Sequence, residues 1–475
     1  MRNRGWERFG IRSPGVMPLD KEELGLKSDE DLLASLTQDA QKLNRIPPEL
    51  YERYAVKRGL RNEDGSGVLV GLTEIGDVHG YIIDEGDLVP VEGRLVYRGI
   101  NVNYIVTGFQ EEGRFGYEEV AYLLLLGELP SRPQLDQFAA VVGANRALPQ
   151  GFTENMILKS PSRDVMNKLA RSVLVSYSYD SNPDDTSLKN VLRQSIELTA
   201  RFPTMAAYGY QAKSHYFDGK SLHIHRPQKE LSTAENLLYL IRPNSEFSRL
   251  EAETLDLALV LHAEHGGGNN STFTTHVVSS TGTDTYSAVA AAVGSLKGPL
   301  HGGANLRVVE MMDDVKQHVG DWLDEEEIAT YLGKIVRKQA FDGKGLIYGI
   351  GHAVYTLSDP RAVLLKAKAC ELARSKGRED EYDLYTRVAD LAPQVLRKEK
   401  RTDKIVTPNV DFYSGFVYDM LNIPRDLYTP IFCIGRIAGW CAHRIEELVS
   451  GGRIVRPAYR NVLRNREYEP LDERP

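Results

Sequence analysis

Cysteine is scarce: Cys370, Cys433 and Cys441 are the only three in 475 residues. They lack the paired spacing of a disulfide framework or a cysteine metal site, and a reducing cytoplasm is the compartment they fit. Positive charge is not in excess either. Lys and Arg number 58 against 66 Asp and Glu, a formal net charge of −8, and the basic residues are scattered. No basic field is available for nucleic acid, so no nucleic-acid partner is expected. Long apolar runs are missing too. The densest stretches, Leu255 to Leu261 and Ser287 to Leu296, fall short of the roughly 18–20 residues a bilayer span needs, so no membrane association is expected. The opening Met1-Arg-Asn-Arg-Gly-Trp-Glu-Arg has no apolar core for secretion, and Glu7, Asp20, Glu22 and Glu23 argue against an organelle transit peptide. Internal repeats and low-complexity segments are also absent.

What is present is a globular composition, 42% hydrophobic and 26% charged, long enough for two domains and a large core. Residues 1–27 read as a solvated arm broken by Gly10, Pro14, Gly15 and Pro18. Helical patterning starts at Ser28, with Leu32, Leu33, Leu36 and Ala40 on one face. A short second helix starts at Pro47-Pro48 and the polar 62–67 stretch is a loop. Between 68 and 106 the period changes to short strands and turns, a small sheet. From Tyr117 onward the chain reads as helical almost throughout. Ser232-Thr-Ala-Glu235 forms a capping box, and helices are predicted over 246–265, 305–319, 324–339 (with Asp324 and Glu327 as a capping box), 360–376, 382–396 and 428–450.

Within this helical background, Ser295-Leu-Lys-Gly-Pro-Leu-His301-Gly-Gly-Ala-Asn305 delivers one histidine into a bend stripped of side-chain bulk. The preceding helix, Tyr286 to Leu296, is small or apolar nearly all round, the composition of a helix buried on every face. Gly298-Pro299 stops it, and a new helical pattern opens at Asn305. Two further stretches carry chemistry-bearing side chains among glycines and aromatics. They are Gly349-Ile-Gly351-His352-Ala-Val-Tyr355 with Ser358-Asp-Pro-Arg361, and Pro408-Asn-Val-Asp411-Phe-Tyr-Ser-Gly415. His262 and His265 suggest zinc, yet no His-Glu-x-x-His pattern or nearby third ligand accompanies them. Gly343-Lys-Gly-Leu-Ile-Tyr-Gly-Ile-Gly351 looks like a nucleotide loop, but it follows a charged helical stretch instead of an apolar strand and fails the dinucleotide test.

Taken in order and at these separations, the three motifs resemble the citrate synthase family, and the resemblance runs from about Gly93 to Pro457. It implies a mainly α, two-domain helical fold with a small N-terminal β element. The larger domain would span 28–301, the smaller 302–415, and the return to the larger 416–475. It implies catalytic roles for His301, His352 and Asp411, and contacts to a keto acid from His265, Asn269, Arg361, Arg436 and Arg456. Arg456 would reach the neighbouring subunit of a homodimer; Arg453 nearby is the alternative. Coenzyme A would meet Leu346, Ile347, Gly349, Ile350 and Lys404. His262 is expected to be structural.

The implied reaction removes a proton from the methyl group of an acyl thioester and adds that carbon to a ketone. A carboxylate takes the proton while a hydrogen-bond donor holds the thioester oxygen, here Asp411 and His301. Guanidinium groups suit a dicarboxylate such as oxaloacetate because they bind carboxylates bidentately. No metal or cofactor is expected beyond the coenzyme A thioester itself. Propionyl-CoA in place of acetyl-CoA would make the activity that of a 2-methylcitrate synthase, and the residues do not separate the two. A catalytically idle helical dimer would call for loss of His301, His352 or Asp411. A nicotinamide-dependent oxidoreductase would call for a strand before the glycine loop.

Overall fold

The computed structural model describes residues 29–84, 87–402 and 404–474. The arm expected over 1–27 lies outside them. The described residues divide into two compact units, one ending at residue 70 and one starting at residue 71. In the first, the helix Asp29–Leu43 is followed by Pro48–Arg53, with a proline at the start where its missing N–H costs nothing. Leu32, Leu33 and Leu36 are exposed.

The second unit opens with a three-stranded antiparallel sheet, β1 (Gly76–Asp84), β2 (Asp87–Tyr97) and β3 (Ile100–Asn101), in that order. Gly76 pairs with Tyr97, and the register slips between His79 and Tyr81. The sheet is smaller than the sequence suggests. Val68–Val70 forms no strand, and Val102–Glu111 is a helix. Val102, Ile105, Val106 and Phe109 are its buried face, spaced for a helix although the β-branched Val102, Ile105 and Val106 favour a strand, and the Asn101 side chain caps the first turn by accepting from the Asn103 amide.

Helices make up nearly all the rest, the mainly α fold with a small β element that the motifs imply. At the centre lies Tyr428–Val449, buried on every side through Ile431, Ile434, Ile437, Trp440 and Cys441. Around it pack Tyr117–Leu126, Leu188–Asp218, Arg249–His262, Asn270–Ser279 and Thr285–Lys297. Two glycines permit the closest of these approaches. A Cβ on Gly435 would sit 2.8 Å from the His262 Cβ, and one on Gly439 would sit 2.3 Å from the Ala263 carbonyl oxygen. Among the described residues, no helix is long and apolar enough to cross a membrane.

Several boundaries differ from expectation. Arg249–His262 ends at His262, so His265 stands in the following turn instead of on the helix. The helix after Asp324 lacks a reciprocal capping box, because the Glu327 carboxylate accepts from Gly320 and Asp321 instead. The helix expected over 382–396 extends to Glu379–Lys400. Asp411, expected on an extended piece, sits in the first turn of a helix, Val410–Met420, with Asn409 as N-cap.

Candidate active site

The bend carrying His301 joins two helices. Thr285–Lys297 is buried round its circumference as far as Val293, its last turn exposes Gly294 and Lys297, and Ala304–His318 follows. The His301 ring reaches back to the start of Asn270–Ser279, where amides have no helical partner. One of them, Ser271 N–H, donates to His301 Nε2 at 3.3 Å. An acceptor at Nε2 puts the proton of a neutral imidazole on Nδ1. Burial, reinforced by the Arg436 guanidinium, pushes this imidazole down to about 4. At neutral pH His301 is therefore an uncharged N–H donor. Ser271 is the residue that sequence reasoning missed. Its Oγ lies 3.1 Å from His301 Nε2, donates to Asn269 Oδ1 at 2.9 Å and accepts from Trp440 Nε1 at 3.1 Å.

His352 has the opposite tautomer. Its Nδ1 accepts the amides of Val354 and Tyr355 at 3.0 and 3.1 Å, which leaves the proton on Nε2. The ring stacks on Tyr355 with centroids 4.6 Å apart and meets His265 edge-on at 5.1 Å. The sheet backs this loop. Gly93 donates to Ser358 Oγ at 3.2 Å, and the Gly80 carbonyl accepts from Thr356 at 3.2 Å. Tyr97 of β2 donates to the Val260 and Glu264 carbonyls, tying the same sheet to the turn before His265. Burial, then Arg361, holds His265 well below the usual histidine range, and its Nε2 is buried without a hydrogen-bond partner.

Asp411 and Arg361 meet through Asp359. The Asp359 carboxylate accepts Arg361 Nε and Nη2 at 3.1 and 2.8 Å, and also the amide of Val410 at 3.1 Å. Thus one carboxylate orients a cation and fixes the start of the helix bearing Asp411. Burial raises the Asp411 carboxyl to about 6, with the Asp359 charge adding to it, while Arg361 and Arg436 pull the other way. Arg361 stays firmly protonated, because the Asp359 charge more than offsets its burial.

Arg436 completes the cluster and is its most unusual member. The side chain is wholly buried on the central helix, and Nε donates to the His262 carbonyl at 2.6 Å. Both Nη atoms are buried with no hydrogen-bond partner. Burial lowers its pKa to about 10, so it remains charged at neutral pH. An unpaired buried guanidinium costs several kcal/mol unless an anion fills its fork. Its field reaches His301, His265 and Asp411 alike.

The structure therefore gathers His301, His352, His265, Asp411, Arg361 and Arg436. Asn269 adjoins through Ser271, with its carbonyl oxygen taken and its amide nitrogen left to donate. His262 lies behind, bonded to the Tyr418 hydroxyl at 2.9 Å and packed on Phe432. Ile347 is buried and Leu346 half exposed, while Ile350 bridges to Pro408 and Gly349 turns at φ +76° where a side chain would strike Phe412. Lys404 is exposed. Arg456 lies on the stretch 451–474, exposed from end to end. Among the described residues no hydrogen bond or ion pair joins it to the cluster.

A mainly helical enzyme with a buried cationic fork, a neutral imidazole donor and a carboxylate of raised pKa has the equipment to deprotonate carbon beside a bound anion. Comparison with known proteins sharpens that class. The family profile described as citrate synthase, C-terminal domain, matches residues 64–458. The citrate synthase of Haloferax volcanii is 34% identical over 429 residues, covering 88% of this chain and 99% of that one. The 2-methylcitrate synthase 2 of Corynebacterium glutamicum is 31% identical over 391 residues, covering 82% and 94%. A ternary complex of carboxymethyl coenzyme A and oxaloacetate with citrate synthase from Thermoplasma acidophilum superimposes with a TM-score of 0.72 at 25% identity, covering 88% of this chain and 99% of that one. The chain belongs to the citrate synthase family and is an acyl-transferring enzyme.

Proposed function

We propose that the protein condenses acetyl-CoA with oxaloacetate and water to give citrate and free coenzyme A. The observation that carries this reading is the Arg436 fork, wholly buried and unpaired beside His265 and His301. A keto dicarboxylate fills such a fork with one carboxylate, Arg361 and Asn269 are at hand for the rest, and Arg456 of a second subunit would complete the set in a homodimer.

The steps follow from the tautomers. His301 Nδ1–H holds the thioester oxygen, and Asp411 takes a methyl proton, giving an enol or enolate. That carbon bonds to the ketone carbon, whose oxygen takes its proton from His352 Nε2. Water then cleaves the citryl thioester and releases the thiol. Closure of residues 302–415 over the keto acid would keep water out until the carbon–carbon bond has formed. The loop 346–351, with Lys404, is our assignment for the coenzyme A contacts.

A second reading is favoured by one specific observation, that relatives named 2-methylcitrate synthase match about as well as those named citrate synthase. One extra methylene shifts preference only about 10- to 200-fold. The test is to mix the enzyme with oxaloacetate and either acetyl-CoA or propionyl-CoA and identify the product by mass. Citrate formed faster from acetyl-CoA supports the first reading and faster 2-methylcitrate the second. Neither product would refute both.

A further inference from the structure

Behind the turn that carries His265 lies a second cluster of histidines and carboxylates that the condensation does not use. His276, on Asn270–Ser279, and His443, on the central helix, face each other with His276 Nε2 and His443 Nδ1 3.0 Å apart. Each ring is held from behind by a carboxylate. His276 Nδ1 lies 2.9 Å from Glu447 Oε2, and His443 Nε2 lies 3.0 Å from Glu264 Oε1. A carboxylate only accepts, so both outer nitrogens carry protons and both inner nitrogens present lone pairs to one another. Between neutral rings that contact is repulsive, and it is relieved either by a proton shared between the rings or by a metal ion.

A third donor points the same way. Glu446 Oε1 accepts the Glu74 amide at 2.7 Å, but Oε2 is buried with no hydrogen-bond partner and stands 3.7 Å from His443 Nδ1, too far for a hydrogen bond. One donor atom from each of His276, His443 and Glu446 lies within 4.8 Å of the others. Zinc–nitrogen bonds of about 2.0–2.1 Å in a tetrahedron place neighbouring donors about 3.3 Å apart, between the two separations seen. The backing carboxylates match the arrangement in which a ligating histidine donates its other N–H to a carboxylate. Gly267 stands against the two rings, where a Cβ would lie in ordinary contact with His276 Nε2 at 3.7 Å.

We propose that His276, His443 and Glu446 bind one divalent cation of the zinc type, with Glu264 and Glu447 as the supporting carboxylates. The ion takes no part in the condensation. It ties Asn270–Ser279 to the central helix and, through Glu264, steadies the turn that presents His265.

The test uses the full-length protein, stripped with chelator and titrated with zinc chloride alone by calorimetry, with metal content counted by mass spectrometry. About one zinc per chain is expected, with a rise in Tm on binding, and cobalt in its place should give the visible absorption of a tetrahedral site. His276→Gln should abolish stoichiometric binding, and Glu447→Gln should weaken it about 10- to 100-fold. No stoichiometric zinc in the wild type would overturn the proposal. So would equal zinc in the wild type and His276→Gln, which would mark the metal as adventitious. The wild-type titration decides the matter even if a variant folds poorly.

Discussion

Asn409 joins the two loops that bear the reactive groups. Its side-chain nitrogen donates to the Gly351 carbonyl at 2.9 Å, beside His352, and its side-chain oxygen accepts the Asp411 amide at 3.0 Å. The backbone repeats the link, with Gly351 donating to Thr407 at 2.8 Å and Asn409 to Gly349 at 2.9 Å. A single side chain thus sets the spacing between the carboxylate and the imidazole that faces the ketone. Asn409→Ala should lower kcat about 10- to 100-fold, since an ångström of misplacement is costly in a near-attack geometry. Loss of the cap should also destabilise by about 1 kcal/mol. Steady-state kinetics and a thermal melt check both, and KM for oxaloacetate should hardly move.

The pH dependence follows from two shifted groups. Asp411 must be ionised to accept a proton, and its carboxyl is raised to about 6, so kcat/KM should fall as pH drops through about 6. His301, lowered to about 4, stays neutral throughout that range and contributes no limb of its own. For stability the sign is opposite. A carboxyl whose pKa is raised by folding binds more protons folded than unfolded between its ordinary value and about 6, so its contribution to stability declines as pH rises across that window. A kcat/KM profile flat from pH 5 to 8 would contradict the assignment of Asp411 as base.

Arg436→Lys keeps the charge but loses the fork. Hydrogen bonds to charged groups contribute about 1.5–3 kcal/mol each, so oxaloacetate binding should weaken by about 10- to 100-fold. Isothermal titration with oxaloacetate alone measures it. The melting temperature should fall only modestly, since the two Nη atoms have no partner in the chain and the one bond lost is that from Nε to the His262 carbonyl.

How far these features were legible depended on whether their signals were local. The His301 bend is announced by its own glycines and by the small residues of the helix before it, and Arg436 stands out as a cation inside an apolar helix. Asp411 is legible as a candidate base, but its local structure is not. Pro408-Asn409 reads as extended backbone, whereas Asn409 is an N-cap and Phe412 and Phe416, four apart and both buried, show the helical period. Ser271 gave no signal, because its amide meets an imidazole 30 residues further on. Likewise His276 and His443 are 167 residues apart and meet only because two helices pack. Pairings that tertiary structure creates leave no trace in spacing.

Helix contact on the central helix gives a stability test with an internal control. Gly439→Ala would put a Cβ 2.3 Å from the Ala263 carbonyl oxygen and 2.6 Å from Glu264 Oε2, so it should destabilise by about 1–3 kcal/mol. Gly294→Ala lies on a helix with open space around the new Cβ and should stabilise by about 0.5–1 kcal/mol. Denaturant unfolding of the two variants should move in opposite directions.

Thiol release from acetyl-CoA with oxaloacetate, comparing the wild type with Asp411→Asn and paired with calorimetry of oxaloacetate binding to both, tests the central claim most directly. The variant should lose about a hundred- to ten-thousandfold in kcat while binding the dicarboxylate nearly as well as the wild type. Unchanged turnover would contradict Asp411 as the base, and lost oxaloacetate binding with the fold intact would show that its carboxylate serves the keto acid instead of the methyl group.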